Sequence, residues 1–567
     1  MVEKSPMRKC ILVLSALCVS VSAGCGSSPI DSEKTSLETK IRTIFTENCH
    51  RCHGIGGSPD GDFYVLDHES LLAHSVVPGK PEESLLFMKV RSGEMPPIGN
   101  GNPLSPGDQE IVRQWIVAGA PDFGSPSVPR KFISPEQILE TLQADLKQLR
   151  DADRPFARYF STTHLYNADL ISDRMESYRV ALSKLVNSLS WGPKIVPPRP
   201  IDPSNTLFRI DLRDYQWNAG VWETIANANP YGVSYGTPAE KYCTTVTGSA
   251  QPLVRGDWFV FAASRPPLYH DVLQLPANDL ELEKLLQVNV SENIRTGAVA
   301  RAGVAESQTV GHNRLLERHE SPLTRGAYWK TYDFASNEDL KSLMTHPLGP
   351  RGQAANAFEH DSGEIAFQLP NGLLAYVVLD SRGNRMDSPL LGARHDRHGR
   401  RDVNGISCMA CHTGGVIQAV DAVRQYAESS LSTLTRTEVD LVRTLYPTRE
   451  KLASLMTQDA KRFADALIQT GCRLSFTDPI AKLVNRYEDE LSPKQTAAEL
   501  GLPVDEFLVR FEKSPELSRD LDLQQAAGQT IARELFLKSF GAIVSGFSLG
   551  KPLLPSASLD AERISTE

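Results

Sequence analysis

Cys49-His-Arg-Cys52-His53 recurs, with different intervening residues, as Cys408-Met-Ala-Cys411-His412. Each is Cys-x-x-Cys followed directly by His, the spacing of c-type haem attachment. The chemistry requires this order: two thiols three positions apart each add to a haem vinyl group as thioethers, and the next His reaches the iron from the same face. Chance supplies about 0.003 such matches in a chain of this composition, so two independent ones are not coincidence. A thioredoxin-like redox pair has no use for the adjacent His. A zinc site would need four protein ligands closing a tetrahedron. The motifs therefore predict two haem c groups, bound through Cys49, Cys52, Cys408 and Cys411, with iron held by His53 and His412.

The chain has 567 residues, enough for three or four domains at about 150 residues each, or fewer if one is large. Hydrophobic residues make up 41% and charged residues 23%, the balance of an ordinary folded protein. Lys plus Arg is 60 against Asp plus Glu at 69, a formal charge of −9 with no long basic run, which argues against nucleic-acid binding. Residues 1–24 read as an export signal: Met7-Arg-Lys is followed by the apolar stretch Ile11 to Val21 and then small residues. That stretch is about 11 residues, short of the roughly 18 to 20 that cross a bilayer. The expected location is the periplasm or cell envelope. Ser22-Ala-Gly-Cys25 resembles a bacterial lipobox, departing from it at Ser22 where Leu is usual, and the resemblance implies a lipid anchor to the membrane through Cys25. Val21-Ser-Ala23 equally fits ordinary secretory cleavage, so both routes stand.

Around the first motif, Leu37, Ile41 and Phe45 recur at helical spacing, and Gly54-Ile-Gly-Gly57 follows as a turn. The chain continues through Ser84-Leu-Leu-Phe87, Gly93-Glu-Met-Pro-Pro97 and Val112-Arg-Gln-Trp-Ile-Val-Ala-Gly-Ala120. This stretch, 36–123, resembles the class I cytochrome c domain in its planctomycete-type form. The resemblance implies that Met95 is the sixth ligand opposite His53 and that the Trp115 helix packs across the amino-terminal helix near the haem edge. A soft thioether ligand favours ferrous iron and raises the potential. Pro96-Pro97 hold the backbone extended and can aim Met95 inward, although a Met there also serves as core filler. Met88 is the reserve ligand, but its neighbours Leu85, Leu86, Phe87 and Val90 mark it as core. His68 and His74 read as surface or loop residues.

Residues 124–133 form a Pro/Ser/Gly linker. Ser134 before Pro135, with Ile138, Leu139, Leu142, Leu146 and Leu149 on one face, predicts a capped helix, and a second helix is expected over 174–189. Phe208, Ile210 and Leu212 alternate with charged residues as in a half-buried strand, while Trp258-Phe-Val-Phe261 fits a strand or a buried helix turn. Ile365 to Leu379 reads as a hairpin turning at Asn371-Gly372. From 418 onward helical spacing dominates, broken at prolines. The expected fold is mainly α: an all-α cytochrome c domain, then a larger α+β region over 134–567 with a helical C-terminal part.

Phe156-Ala-Arg-Tyr-Phe160 with His164-Leu-Tyr-Asn167, and Phe358-Glu-His-Asp361 leading to Asn404-Gly-Ile-Ser-Cys408, resemble an uncharacterised bacterial cytochrome-containing family, which implies a haem protein and no particular activity. The sixth ligand of the second iron stays open among His360, His395, His398, Met386 and Met456. His360 leads, because Asp361 can orient it. The basic run Arg394 to Arg401 suits haem propionates, an acidic partner, or a solvated loop. Cys243 and Cys472 permit a disulfide; two separate buried thiols fit equally. The leading expectation is electron relay with a redox partner protein. Alternatives are a peroxidase-like dihaem oxidoreductase with an open second haem, or an envelope interaction protein with an accessory haem domain.

Overall fold

A computed structural model of the chain describes residues 29–54, 64–68, 71–72, 75–97, 103–123, 130–305, 307, 311–350, 357–391, 401–474, 478–514 and 530–553. The export signal, Cys25, residues 55–57 of the expected turn, His74, residues 124–129 of the linker, and 392–400 with His395 and His398 lie outside the described residues. The chain divides into two units, Met1–Asn48 with Leu71–Gly124, and Cys49–Ser70 with Ser125–Glu567.

In the first unit, helix Pro29–Asn48 turns Ile41, Ile44 and Phe45 inward against Val112, Trp115 and Ile116 of helix Pro106–Val117. Phe45 meets Trp115 edge-on at 5.6 Å and 89°, and Phe123 joins them at 5.6 Å from Phe45. The Trp115 indole donates to the Pro121 carbonyl at 2.8 Å, so the chain leaving this helix is tied back onto it. Ser105 caps the helix by accepting from the Asp108 amide. The expected crossing of the Trp115 helix over the amino-terminal helix is thus present. Helix Leu85–Arg91 buries Leu86, Phe87 and Val90 but leaves Met88 39% exposed, so Met88 is not the core residue its neighbours suggested.

Among its described residues the second unit holds three sheets. Strands β1 (Ala157–Ser161), β2 (Arg199–Pro200), β3 (Leu207–Asp211), β4 (Val233–Ser234) and β5 (Leu253–Arg255) come first. Four of them form a sheet in the order β2-β3-β1-β5, antiparallel except for the parallel β1–β5 pair. Then come β6 (Ala300–Val304), β7 (Arg314–Ser321), β8 (Gly326–Asp333), β9 (Ser362–Gln368), β10 (Leu374–Asp380) and β11 (Arg385–Met386), forming an antiparallel sheet in sequential order, while β12 (Lys551–Pro552) pairs with β4. The capped helix appears as Pro135–Gln148 with a full Ser134/Gln137 capping box, and the second helix as Ser172–Ser188. Trp258 to Phe261 belong to helix Gly256–Ala262. The hairpin is β9–β10, with Gly372 at φ +95° in its turn. Helices follow from Arg436–Leu445 to Arg533–Gly546.

The expectation of a mainly α protein is overturned. Helix amounts to about 47% and strand to about 13%, and a six-stranded sheet lies within the core, so the fold is mixed α+β. The reason lies in β6 to β8, which were not legible as strands. Arg314-Leu-Leu-Glu-Arg-His-Glu-Ser321, to which the sequence assigned no element, carries five charged or ionisable side chains, yet all but three of its residues are buried and all of β8 is. Its charges are neutralised by neighbours distant in sequence. Of the two alternatives left open for Cys243 and Cys472, the structure shows the separate buried thiols and no disulfide. Both thiols are free and buried in different clusters, Cys243 with Leu142, Tyr159 and Leu207, Cys472 in the large core.

Pleating sorts these charges onto two faces. Registered partners Glu317, Lys330, Ile365 and Val377 share one face; Arg318, Trp329, Ala366 and Tyr376 share the other. On the first, Arg301 and Glu317, both 0% exposed, pair at 2.6 Å, and His319 joins Glu317 at 2.9 Å. On the second, Arg318 grips Asp459 through two contacts at 2.8 and 3.0 Å. Burial alone would raise the Glu317 pKa, but Arg301 and His319 outweigh it and hold the carboxyl at about 2. Glu317→Leu strands the Arg301 charge and is expected to cost about 3–5 kcal/mol in urea unfolding at pH 7. Because the folded pKa is depressed, the wild-type advantage should be full above the unfolded carboxylate value near 4.3 and shrink as pH falls toward 2. An unchanged unfolding midpoint in the variant would contradict this account.

Candidate functional site

The second motif is held by buried polar groups. Gly405, at φ +90°, lies so close to the Ser264 carbonyl that an added Cβ would stand 2.5 Å from its oxygen, so the turn into helix Ile406–Cys411 requires glycine. Asn404, fully buried, donates from Nδ2 to His270 Nε2 at 2.7 Å and accepts the Gly405 amide at 2.9 Å. Burial, aided by the nearby Arg385 charge, pushes the His270 imidazole down to about 3, so it stays neutral and can accept. Cys408 Sγ lies 3.8 Å from Asn404 Oδ1. Cys408 is half-buried and Cys411 exposed.

The helical turn carries His412 beyond the two thiols, its amide donating to the Cys408 carbonyl at 2.8 Å. His412 Nδ1 lies 2.9 Å from the Gly415 carbonyl, an acceptor only, so Nδ1 carries the proton and Nε2 keeps its lone pair. Burial also lowers the imidazole pKa, which favours the neutral form a metal binds. The ring stands 5.5 Å from Tyr376, whose amide donates to the Tyr269 hydroxyl oxygen at 2.9 Å. Beside it the second sheet face is incompletely covered. Leu316, Ala366, Val416 and Ala419 are half-buried, and Ile417 and Val420 are each 58% exposed. On that same face Arg314 pairs with Asp333 at 2.8 Å and Glu364 at 3.3 Å. Two thiols, a neutral imidazole with a free Nε2, a flat apolar surface and an arginine make a donor set suited to a porphyrin iron and its propionates.

The first motif also forms a helical turn, His50–His53. The Cys52 and His53 amides donate to the Cys49 carbonyl at 3.0 and 2.8 Å, and the His53 carbonyl accepts from Val65 at 2.9 Å. Burial, then the neighbouring Cys52, pushes the Cys49 thiol up to about 12. A hydrogen bond of His50 with Asp173, an ion pair of Asp67 with Arg174, and a 2.7 Å hydrogen bond between Tyr64 and Ser177 fasten this segment to helix Ser172–Ser188. Lys482 and Arg486 stand 4.6 and 5.1 Å from the Tyr64 ring centre. Both belong to helix Pro479–Tyr487, which also packs against the Ile406–Cys411 helix of the second motif. That support has 9 residues, about 13 Å at 1.5 Å per residue.

Met95, in the first unit, is half-buried, with its amide donating to the Lys89 carbonyl at 3.1 Å. His68 is half-buried. Among the residues considered as a ligand opposite His412, His360 packs against Tyr332 at 5.0 Å, and Tyr332 belongs to the sheet face turned away from Tyr376 and His412. Its promise in the sequence therefore does not survive. Met456 is fully buried with Trp329 and Leu452, whereas Met386 is half-buried and registered with Val378 on the His412 side. Asn404 and Gly405 adjoin the motif and were visible in sequence; His270 and Tyr376, far away in the chain, gave no signal. Among the described residues no cluster of three or more His, Cys, Asp or Glu is arranged to hold a metal ion.

Residues 49–99 match the family model for planctomycete cytochrome C, a span that includes the first motif and Met95. The match covers less than a tenth of the chain. No curated protein and no solved structure matches. The amino-terminal segment is thus cytochrome c-like, with haem binding and electron transfer as its general role.

Proposed function

We propose that this protein is an exported dihaem c-type cytochrome that relays electrons to and from a redox partner protein. Cys49 with Cys52 and Cys408 with Cys411 bind the haems as thioethers, His53 and His412 ligate the irons, and Met95 is the sixth ligand of the first. Bound haem c supplies a one-electron iron couple. The chain's own residues bind and orient it. The Gly415 carbonyl keeps the His412 Nε2 available, Asn404 steadies the turn carrying Cys408, Tyr376 and the neighbouring aliphatic side chains exclude water, and Arg314 faces propionate charge. The observation that carries the reading is the shared support: the segment after the first motif and the helix of the second both rest on helix Pro479–Tyr487. That arrangement suits electron passage within one chain. The signal over 1–24 supports a periplasmic or envelope location, with Cys25 as the point of lipid attachment.

Pyridine haemochrome analysis of protein matured in a cytochrome-assembling host should give two haems per chain, falling to one in Cys408→Ala/Cys411→Ala. Two haems in that double variant would eliminate the second site. In a potentiometric titration, Met95→Ala should lower the potential of one haem by on the order of 100 mV and alter its ligand-field bands, leaving the other haem unmoved. An unaltered potential and spectrum would remove Met95 from the iron.

A further inference from the structure

His164, in the segment Thr163–Asn167, has no part in either haem motif, yet it is paired in a way that surface histidines are not. Its Nε2 lies 2.9 Å from Asp257 Oδ2, across 93 residues of sequence, and the two side chains are 6% and 3% exposed. Burial alone would raise the Asp257 pKa, but His164 and the nearby Arg255 and Arg533 outweigh it and hold the carboxyl at about 2. An ionised carboxylate only accepts, so Nε2 carries the proton of the hydrogen bond, and the tautomer this selects presents Nδ1 as an acceptor. Nδ1 has no hydrogen-bond partner among the described residues. Asp257 Oδ1 is buried and likewise unpartnered among them, so His164 takes the one hydrogen bond that the carboxylate makes.

His164 lines a cleft of about 150 Å³ in the second unit. Leu139, Leu253, Leu500, Phe540 and Val544 supply its apolar wall, and Tyr235 adds a hydroxyl with no partner among the described residues. A cavity of that volume lined by aliphatic and aromatic side chains holds one benzene-sized ring. The remaining polar groups on the wall are largely satisfied internally: Arg255 by Glu499, Asn229 by Gln251, and Glu240 by the amides of Tyr235 and Gly236. Beside the Tyr235 hydroxyl, the demand left on this wall is for a donor at His164, next to the apolar side chains of Leu253 and Phe540.

We propose that this cleft binds a monocyclic phenol, its ring against Leu253 and Phe540 and its hydroxyl donating to His164 Nδ1, oriented by Asp257. The site is separate from both haem motifs and stands whether or not the second motif carries haem. The phenolic hydroxyl is the weakly acidic donor that a carboxylate-backed imidazole recognises, and its replacement by hydrogen leaves that nitrogen unmet.

Phenol and benzene titrated calorimetrically into the full mature, haem-loaded chain test this. One phenol per chain is expected, about tenfold tighter than benzene, as one net hydrogen bond gives, with the haem absorption spectrum unmoved. Leu253→Trp, which fills the cleft, should abolish binding of both. His164→Phe should keep benzene and bring phenol down to benzene's affinity. The phenol–benzene comparison needs no variant, so it decides even if a variant fails to fold. Equal affinities for the two ligands, no binding of either, phenol binding undiminished in Leu253→Trp, or a shift of the haem bands on phenol addition would each overturn the proposal.

Discussion

Charge buried away from the surface is the constraint on which the larger unit depends. Arg301 and Glu317 are 0% exposed and His319 is 1%. A charge so enclosed is tolerable only beside its partner, since losing the partner costs far more than the pair contributes. This fixes the register of the six-stranded sheet. A one-residue slip of β7 would carry Glu317 to the other face, away from Arg301, and would separate Arg318 from Asp459 at the same moment. With register fixed, Tyr376 and Ala366 come to share one face, and that face receives His412.

The same logic reaches the helix that both motif segments touch. Asp478 caps helix Pro479–Tyr487 by accepting from the Ile480 and Ala481 amides, and it also pairs with the buried Lys184. Lys184 lies on helix Ser172–Ser188, whose Asp173, Arg174 and Ser177 hold the segment of the first motif. One carboxylate therefore ends one helix and locks it to another. Local capping and long-range charge pairing meet at a single residue, and the two motif segments inherit their places from it.

The cleft at His164 belongs to this framework without belonging to the motifs. Asp257 is carried by helix Gly256–Ala262, whose Phe261 stacks on Tyr487 at 4.6 Å at the end of the supporting helix. Arg255, immediately before it, lies 3.7 Å from the centre of the Tyr231 ring and is paired with Glu499. These contacts set the angle of the Asp257 carboxylate and, through it, the imidazole. A rigid imidazole with a fixed tautomer recognises a donor by position as well as by charge.

What the sequence determined by itself was whatever a few neighbouring residues decide. Cys-x-x-Cys-His lies within one helical turn; Ser134 and Gln137 cap their own helix; Asn371-Gly372 turns its own hairpin. The Phe45–Trp115 packing was legible through resemblance to a known domain. Only the tertiary structure decided the rest. Strand β7 went unassigned because its charges are matched by partners up to 141 residues away, as Arg318 is by Asp459. His360 seemed well placed beside Asp361 until the pleat put Tyr332, against which it packs, on the opposite face from His412. Cys243 and Cys472 are an even pair on paper and buried in separate clusters. His164 meets Asp257 across 93 residues. Local order follows from short-range sterics and hydrogen bonds that a short stretch contains. A buried charge is stabilised by whichever partner the fold delivers, and no short stretch records it.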